Sequence, residues 1–92
     1  MKTKELCTYL NNYTFCVLVP VYYENEARPA WRKYFIGTKD EAREAYKAAP
    51  DYLNATPEEN AKNRKNKMQE YIFLMDIGNK KEAEAIKEQY HF

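Results

Sequence analysis

The run YTFCVLVPVYY, residues 13 to 23, restricts the fold of this chain more than any other stretch. β-Branched and aromatic side chains fill it, which is the composition of a strand. Side chains alternate between the two faces of a strand. One set is therefore Tyr13, Phe15, Val17, Val19, Val21 and Tyr23, apolar except for the phenol hydroxyls, and it must face a covering layer. The other set, Thr14, Cys16, Leu18, Pro20 and Tyr22, is mixed but still largely apolar, so it asks for cover as well. Pro20 has no N–H to give to a ladder, which predicts an edge or a non-bonded position there.

Flanking signals supply the remaining elements. A second strand is expected at Trp31–Ile36, after the connection ENEARPA and before Gly37, with Trp31, Lys33 and Phe35 on one side and Arg32, Tyr34 and Ile36 on the other. Thr38-Lys39-Asp40-Glu41 has the spacing of a capping box. Behind it, Ala42, Ala45, Tyr46 and Ala49 form a narrow stripe that allows close approach to a sheet, and Pro50 ends the helix. Thr56-Pro57-Glu58-Glu59 is a second capping box, with proline at the first helical position where its missing donor is harmless. That helix should run to about Ile77, before Gly78, with Ala61, Met68, Tyr71, Ile72 and Met75 facing inward. Its last turns, YIFLMDI, are apolar nearly all round and are expected to be buried on every side. Asn79 is expected to cap a final helix with Ala83, Ile86 and Tyr90 inward. At the other end of the chain, Leu6 and Leu10 are spaced i, i+4, which predicts a short helix over residues 3–11.

The expected fold class is therefore α+β. An antiparallel β-hairpin, preceded by a short N-terminal helix, packs against three C-terminal helices, the last two forming a helical hairpin. Residues 1–92 are expected to make a single domain, the length being too small for two cores.

Net charge is +1, and the two halves barely differ: eight Lys/Arg against six Asp/Glu in residues 1–50, seven against eight in 51–92. No overall field steers such a chain to nucleic acid or acidic lipid. The polar opening MKTKELCTYLNNY lacks the apolar core of a secretory signal, and no run approaches the ~18 apolar residues of a membrane span. The expectation is a cytoplasmic protein with no membrane partner. In that compartment the two glycosylation sequons at Asn12 and Asn54 have no use, and Cys7 and Cys16 are expected to be reduced thiols.

Much catalytic chemistry is missing from the composition. The chain has no serine, so serine-nucleophile mechanisms are excluded. His91 is the only histidine, and with two separated cysteines it gives no zinc spacing. Gly37 and Gly78 are the only glycines, too few for a phosphate-cradling loop. Asp40, Glu41, Glu58 and Glu59 fall in first helical turns, where they favour the helix dipole. Asp76 stands out as a carboxylate in an apolar helical stretch, for which a neighbouring cation or simple exposure is the expected explanation. No catalytic residue, metal site or cofactor is assigned, and the chain is not expected to be an enzyme.

Recognition is the expectation that remains. Helices after residue 38 can cover one face of a hairpin, and leaving large apolar side chains on the other face wet forfeits about 1.5–3 kcal/mol each. Either the N-terminal segment crosses that face or another chain does. Tyr22, Tyr23, Trp31, Arg32, Lys33 and Tyr34 cluster around one loop and are of the residue types that dominate interface energetics, which makes them the candidate protein-binding set. A second expectation is a nucleic-acid-binding regulator using Lys62, Arg64, Lys65 and Lys67 with Lys80 and Lys81. Helical geometry, however, sets Lys62 and Lys67 about 140° apart, so these charges ring the helix instead of lining it. A third is self-association. In general character, as one small tyrosine-rich domain free of catalytic apparatus, the chain resembles the compact inhibitors that phages and mobile elements encode to bind and block host defence machinery, anti-CRISPR proteins among them. That resemblance implies a host protein as partner and transfers no residue.

Overall fold

In a computed structural model describing Met1–Phe92, residues 13 to 22 of the apolar run lie in β2 (Asn11–Tyr22), the middle strand of an antiparallel sheet, and Tyr23 falls just outside it. β1 (Glu5–Tyr9) and β3 (Ala30–Gly37) flank it. With α1 (Lys39–Ala48), α2 (Pro57–Asp76) and α3 (Lys80–Tyr90), the chain has the expected α+β composition. A two-residue strand, β4 (Leu53–Asn54), pairs parallel to β2 at Val21 and Tyr22. The chain divides into two compact units, Met1–Tyr22 with Arg28–Asn54, and Tyr23–Ala27 with Ala55–Phe92. No helix is long and apolar enough to cross a membrane.

In the first unit, the expected N-terminal helix is instead β1. Its register against β2 runs from Glu5↔Leu18 through Cys7↔Cys16 to Thr8↔Phe15. Pairing with a strongly strand-forming neighbour overrides the weak helical spacing of Leu6 and Leu10, since propensity yields readily to tertiary context. Leu10 takes a left-handed φ of 65° at the turn, and the Asn11 side chain accepts from the amides of Tyr13 and Thr14, both at 2.8 Å. β1 stops at Leu18 and β4 begins at Val21, so Pro20 occupies the gap between them on that edge of β2. This is the non-bonded position its ring requires.

α1 covers one face of this sheet. Val17 and Val19, both fully buried, pack with Ala42 and Ala49, and Phe15, Phe35, Ala45, Tyr46 and Leu53 complete the core. The alanine stripe thus performs the close approach expected of it. Tyr13, assigned to the covered set, is instead 87% exposed, because it lies beside the β1–β2 turn, outside the core cluster. Lys4 reaches across to the end of α1, donating to the carbonyls of Tyr46 at 2.7 Å and Ala49 at 2.8 Å, with its ammonium 4.7 Å from the Tyr46 ring centroid. A cation there meets the negative end of the helix dipole. Gly37 is needed at the end of β3, because a Cβ would come within 2.7 Å of the Phe35 ring.

A bulge reorganises β3. Val17 opposes Phe35 but Leu18 opposes Lys33, leaving Tyr34 as the extra residue. Directly opposed residues share a face. Phe35 therefore joins the α1 core, while Trp31 and Lys33, opposite Pro20 and Leu18, lie on the other face. Strict alternation, which put Phe35 with Trp31 and Lys33 and put Ile36 with Arg32, fails at this one inserted position.

In the second unit, α2 and α3 form the expected helical hairpin around Leu74, Ala83, Ile86 and Tyr90, with Tyr71 and Phe92 at its edge. Gly78, at φ 82°, ends α2 in a Schellman arrangement: Asn79 donates to the Leu74 carbonyl at 2.9 Å and Gly78 to Met75 at 3.2 Å. Asn79 holds the N-cap position of α3 but makes no side-chain capping bond. Both capping boxes are complete: Thr38 accepts from the Glu41 amide and Thr56 from the Glu59 amide, with each glutamate reaching back to its threonine's amide. Thr38→Ala and Thr56→Ala are each expected to lower stability by about 1 kcal/mol in urea titrations, the usual worth of a cap. Loss of under a few tenths by either would show its box to be idle.

The phase of α2 differs from the expected one. Met68, Ile72 and Met75, read as inward, are exposed, as are Phe73 and Ile77. Ala61 is exposed as well; Tyr71 keeps its expected inward place, and the other inward positions are Asn60, Asn63, Lys67 and Leu74, all half-buried or buried. Polar residues on the first half of the inner face disguised it. The apolar end of α2 is therefore covered on one side only, and Asp76 within it is exposed.

Candidate binding surfaces

The sheet face opposite α1 has an apolar centre and a mixed rim. Cys16 and Pro20 at its centre are less than 2% exposed. Leu18 is half-buried, and toward β3 the face opens onto Trp31 and Ile36 at 36% and 43% exposure. The N-terminal segment adds a strand to the sheet edge, and its Tyr9 meets the Lys33 ammonium on this face. At the bulge, Tyr34 is 46% exposed, in keeping with the tendency of bulges to re-aim side chains. The Lys33 ammonium sits 3.2 Å from the Tyr9 hydroxyl and 4.8 Å from its ring centroid, which fixes a cation on the same face as Trp31. Tyr22 is held firmly: its hydroxyl accepts from the Lys2 amide at 2.8 Å and donates to the Lys2 carbonyl at 3.0 Å, and its ring meets Tyr52 edge-on at 5.9 Å.

Of the six residues expected to bind protein, the first unit carries Tyr22, Trp31, Arg32, Lys33 and Tyr34. Arg32 opposes Val19, so it projects from the α1 side while Trp31 and Lys33 project from the other. Tyr23 belongs to the second unit, where it lines a shallow cleft of about 270 Å³ with Glu59, Lys62, Asn63 and Asn66. A second cleft of about 250 Å³ lies against Asn60, Arg64 and Tyr90. Both fall below the ~300 Å³ at which small-molecule sites begin, and a third cleft, against Glu84, Lys87, Glu88 and Phe92, only just reaches it at about 320 Å³.

The basic set divides by employment. Arg64 donates to the Tyr90 carbonyl at 2.8 Å and lies 4.8 Å from the Phe92 ring centroid, so it fastens the end of α3 to α2. Lys67 is 3.6 Å from Glu70 and 4.0 Å from Glu26. Lys62, Lys65, Lys80 and Lys81 are exposed. Two of the four charges read as a phosphate-binding group in residues 62–67 thus have structural work inside the unit.

The polar network around Glu26 was not foreseen from sequence. Its carboxylate accepts a short hydrogen bond from the Tyr90 hydroxyl, one from Gln89 at 3.0 Å and one from Asn63 at 3.4 Å. Asn63 also donates to the Tyr90 hydroxyl at 2.9 Å, and Gln89 to the Asn25 carbonyl at 2.6 Å. Burial pushes the Glu26 carboxyl up, but the bonds from Tyr90 and Asn63, the Lys67 charge and the Gln89 bond outweigh it, leaving the group below its ordinary value. Burial and the adjoining carboxylate push the Tyr90 phenol up to about 12. Glu26 and Tyr90 lie 64 residues apart, and no local pattern links them.

Comparison with family models, curated proteins and solved structures gives no match.

Proposed function

We propose that this chain is a non-catalytic protein-binding module of the cytoplasm, an inhibitor of the kind that phages and mobile elements direct against host defence complexes. It docks through the sheet face opposite α1 and its β3 margin. The supporting observation is that Trp31 and Ile36, each more than a third exposed, share a face with the fixed cation of Lys33, and that Tyr34, 46% exposed, stands at the bulge next to it in β3. An aromatic anchor beside a cation, bordering an apolar centre, matches the residue pattern of interface hot spots. Trp31, Lys33 and Ile36 stand on a strand whose partner residues Pro20, Leu18 and Cys16 are buried or half-buried, so little ordering remains to be done on docking.

Trp31→Ala with Tyr34→Ala tests the reading. Against its partner, identified by affinity capture from the native host, the double variant is expected to bind at least a hundredfold more weakly, since hot-spot truncations cost about 2 kcal/mol or more each. Both side chains lie outside the core cluster, so far-UV circular dichroism and the urea midpoint should stay near the parent values. A folded double variant that binds as tightly as the parent overturns the proposal.

A further inference from the structure

Cys7 and Cys16 are separated by a turn in sequence but are direct partners across β1 and β2. Directly opposed residues in an antiparallel pair have Cα atoms about 4.5 or about 5.5 Å apart, depending on whether they exchange hydrogen bonds. Both separations lie inside the ~4.4–6.8 Å range that a disulfide spans. The pair projects from the sheet face opposite α1, since Cys16 belongs to the set opposite Val17 and Val19. The Cys7 thiol donates weakly to the Cys16 carbonyl at 3.8 Å. Cys7 is half-buried and Cys16 is buried, so Cys7 is the more accessible of the two.

We infer that Cys7 and Cys16 form a dithiol–disulfide exchange site, with Cys7 as the attacking sulfur and Cys16 as the resolving one, taking low-molecular-weight disulfides such as oxidised glutathione as oxidant. The inference stands on β1–β2 register and is independent of the docking reading. The chemistry runs in two exchanges. The Cys7 thiolate, its proton given to solvent, attacks one sulfur of the small disulfide; that S–S bond breaks, and one small thiolate leaves and is protonated. The Cys16 thiol then loses its proton, its sulfur attacks that of Cys7, the mixed disulfide breaks, and the second small thiol departs. Two protein thiols are oxidised to one cross-strand disulfide, and one small disulfide is reduced to two thiols.

The division of roles follows from position. Burial pushes the Cys16 thiol up, Cys7 beside it pushes it further, and the Lys33 ammonium pulls the other way. Such a sulfur is a poor first nucleophile but a well-placed second one, because the sheet already holds it opposite its target and the second exchange needs no encounter.

The test incubates the folded full-length chain with oxidised glutathione over a range of ratios to the reduced form, quenches with acid and reads intact mass. The parent is expected to lose two hydrogens and to revert with dithiothreitol, carrying at least about tenfold less glutathione adduct than Cys16→Ala, because closure is intramolecular. Cys16→Ala is expected to keep the adduct on Cys7, and Cys7→Ala to remain unmodified while folded. A parent that accumulates the Cys7 adduct as the Cys16→Ala variant does, that links into covalent dimers, or that stays reduced where Cys16→Ala is fully modified overturns the inference. Should Cys16→Ala fail to fold, peptide mapping of the parent decides instead: a Cys7–Cys16 cross-link formed under native conditions supports the site, and its absence refutes it.

Discussion

Tyr90→Ala is expected to destabilise the α2–α3 unit by about 3–5 kcal/mol, the range for truncating a large buried ring. The ring is 1% exposed and packs with Leu74, Ala83 and Ile86, stacked 5.7 Å from Phe92. Tyr90→Phe keeps that volume and removes only the hydroxyl, so it isolates the polar share. Without the hydroxyl, the partly buried Glu26 carboxylate loses its shortest hydrogen bond, and a loss of about 1–3 kcal/mol is expected. Urea denaturation, with amide exchange read on α3, measures both. Equal losses for the two variants would contradict the packing account.

The same pair fixes a pH dependence with opposite signs at its two ends. The Tyr90 phenol, 10.0 when unperturbed, is pushed up to about 12. The folded state then holds a proton that the unfolded state has released, so its contribution is complete below pH 10 and falls away as pH rises toward about 12. For one group the slope cannot exceed about 1.4 kcal/mol per pH unit. Glu26, lowered from 4.5, contributes above that value and loses its contribution as pH falls below it. In Tyr90→Phe the alkaline decline assigned to this phenol should vanish and the acid-side decline should shrink. An alkaline limb unchanged in that variant would assign the titration to other tyrosines.

Val19→Asp is expected to unfold the sheet unit outright. Val19 is fully buried beneath α1, in a cluster of valine, alanine and aromatic carbon. Even with Arg32 opposite it across the strand pair, a carboxylate there costs several kcal/mol after relaxation, comparable with the whole stability of a small domain. Val19→Ala removes volume without adding charge and is expected to cost only about 2 kcal/mol, at the low end for core truncations. Loss of the β1–β3 amide protection in the aspartate variant, with protection retained in the alanine variant, is the expected result. An aspartate variant that keeps those amides protected would mean that the α1–sheet contact is looser than its buried alanines indicate.

How much of this was legible depended on whether the signal was local. The capping boxes at Thr38 and Thr56 are written in four consecutive residues each, and both helices start there. The strand at residues 13–23 announced itself through β-branched composition, and its inward set Phe15, Val17, Val19 and Val21 followed from alternation. β1 did not, because five residues carry only a weak signal, the i, i+4 spacing of Leu6 and Leu10 pointed to a helix, and ELCTY becomes a strand by pairing. Losing β1 also hid the Cys7–Cys16 pair, which exists only through its register. The β3 bulge moved Phe35 to the face of Arg32 and Ile36 to the face of Trp31 and Lys33, and a single inserted residue leaves no mark in a short run. The α2 phase was hidden by Asn60, Asn63 and Lys67, polar residues that face inward because Glu26 and Tyr90 are there to meet them.

β3 has β2 on one side and no strand on the other. Main-chain amides and carbonyls along such a margin grip a guest strand with little regard for its side chains. Under the proposed docking, a target held that way would find escape by point substitution hard, since most replacements leave its backbone untouched and proline alone deletes a donor. Resistance to such a protein would then have to arise at the side-chain contacts proposed for Trp31.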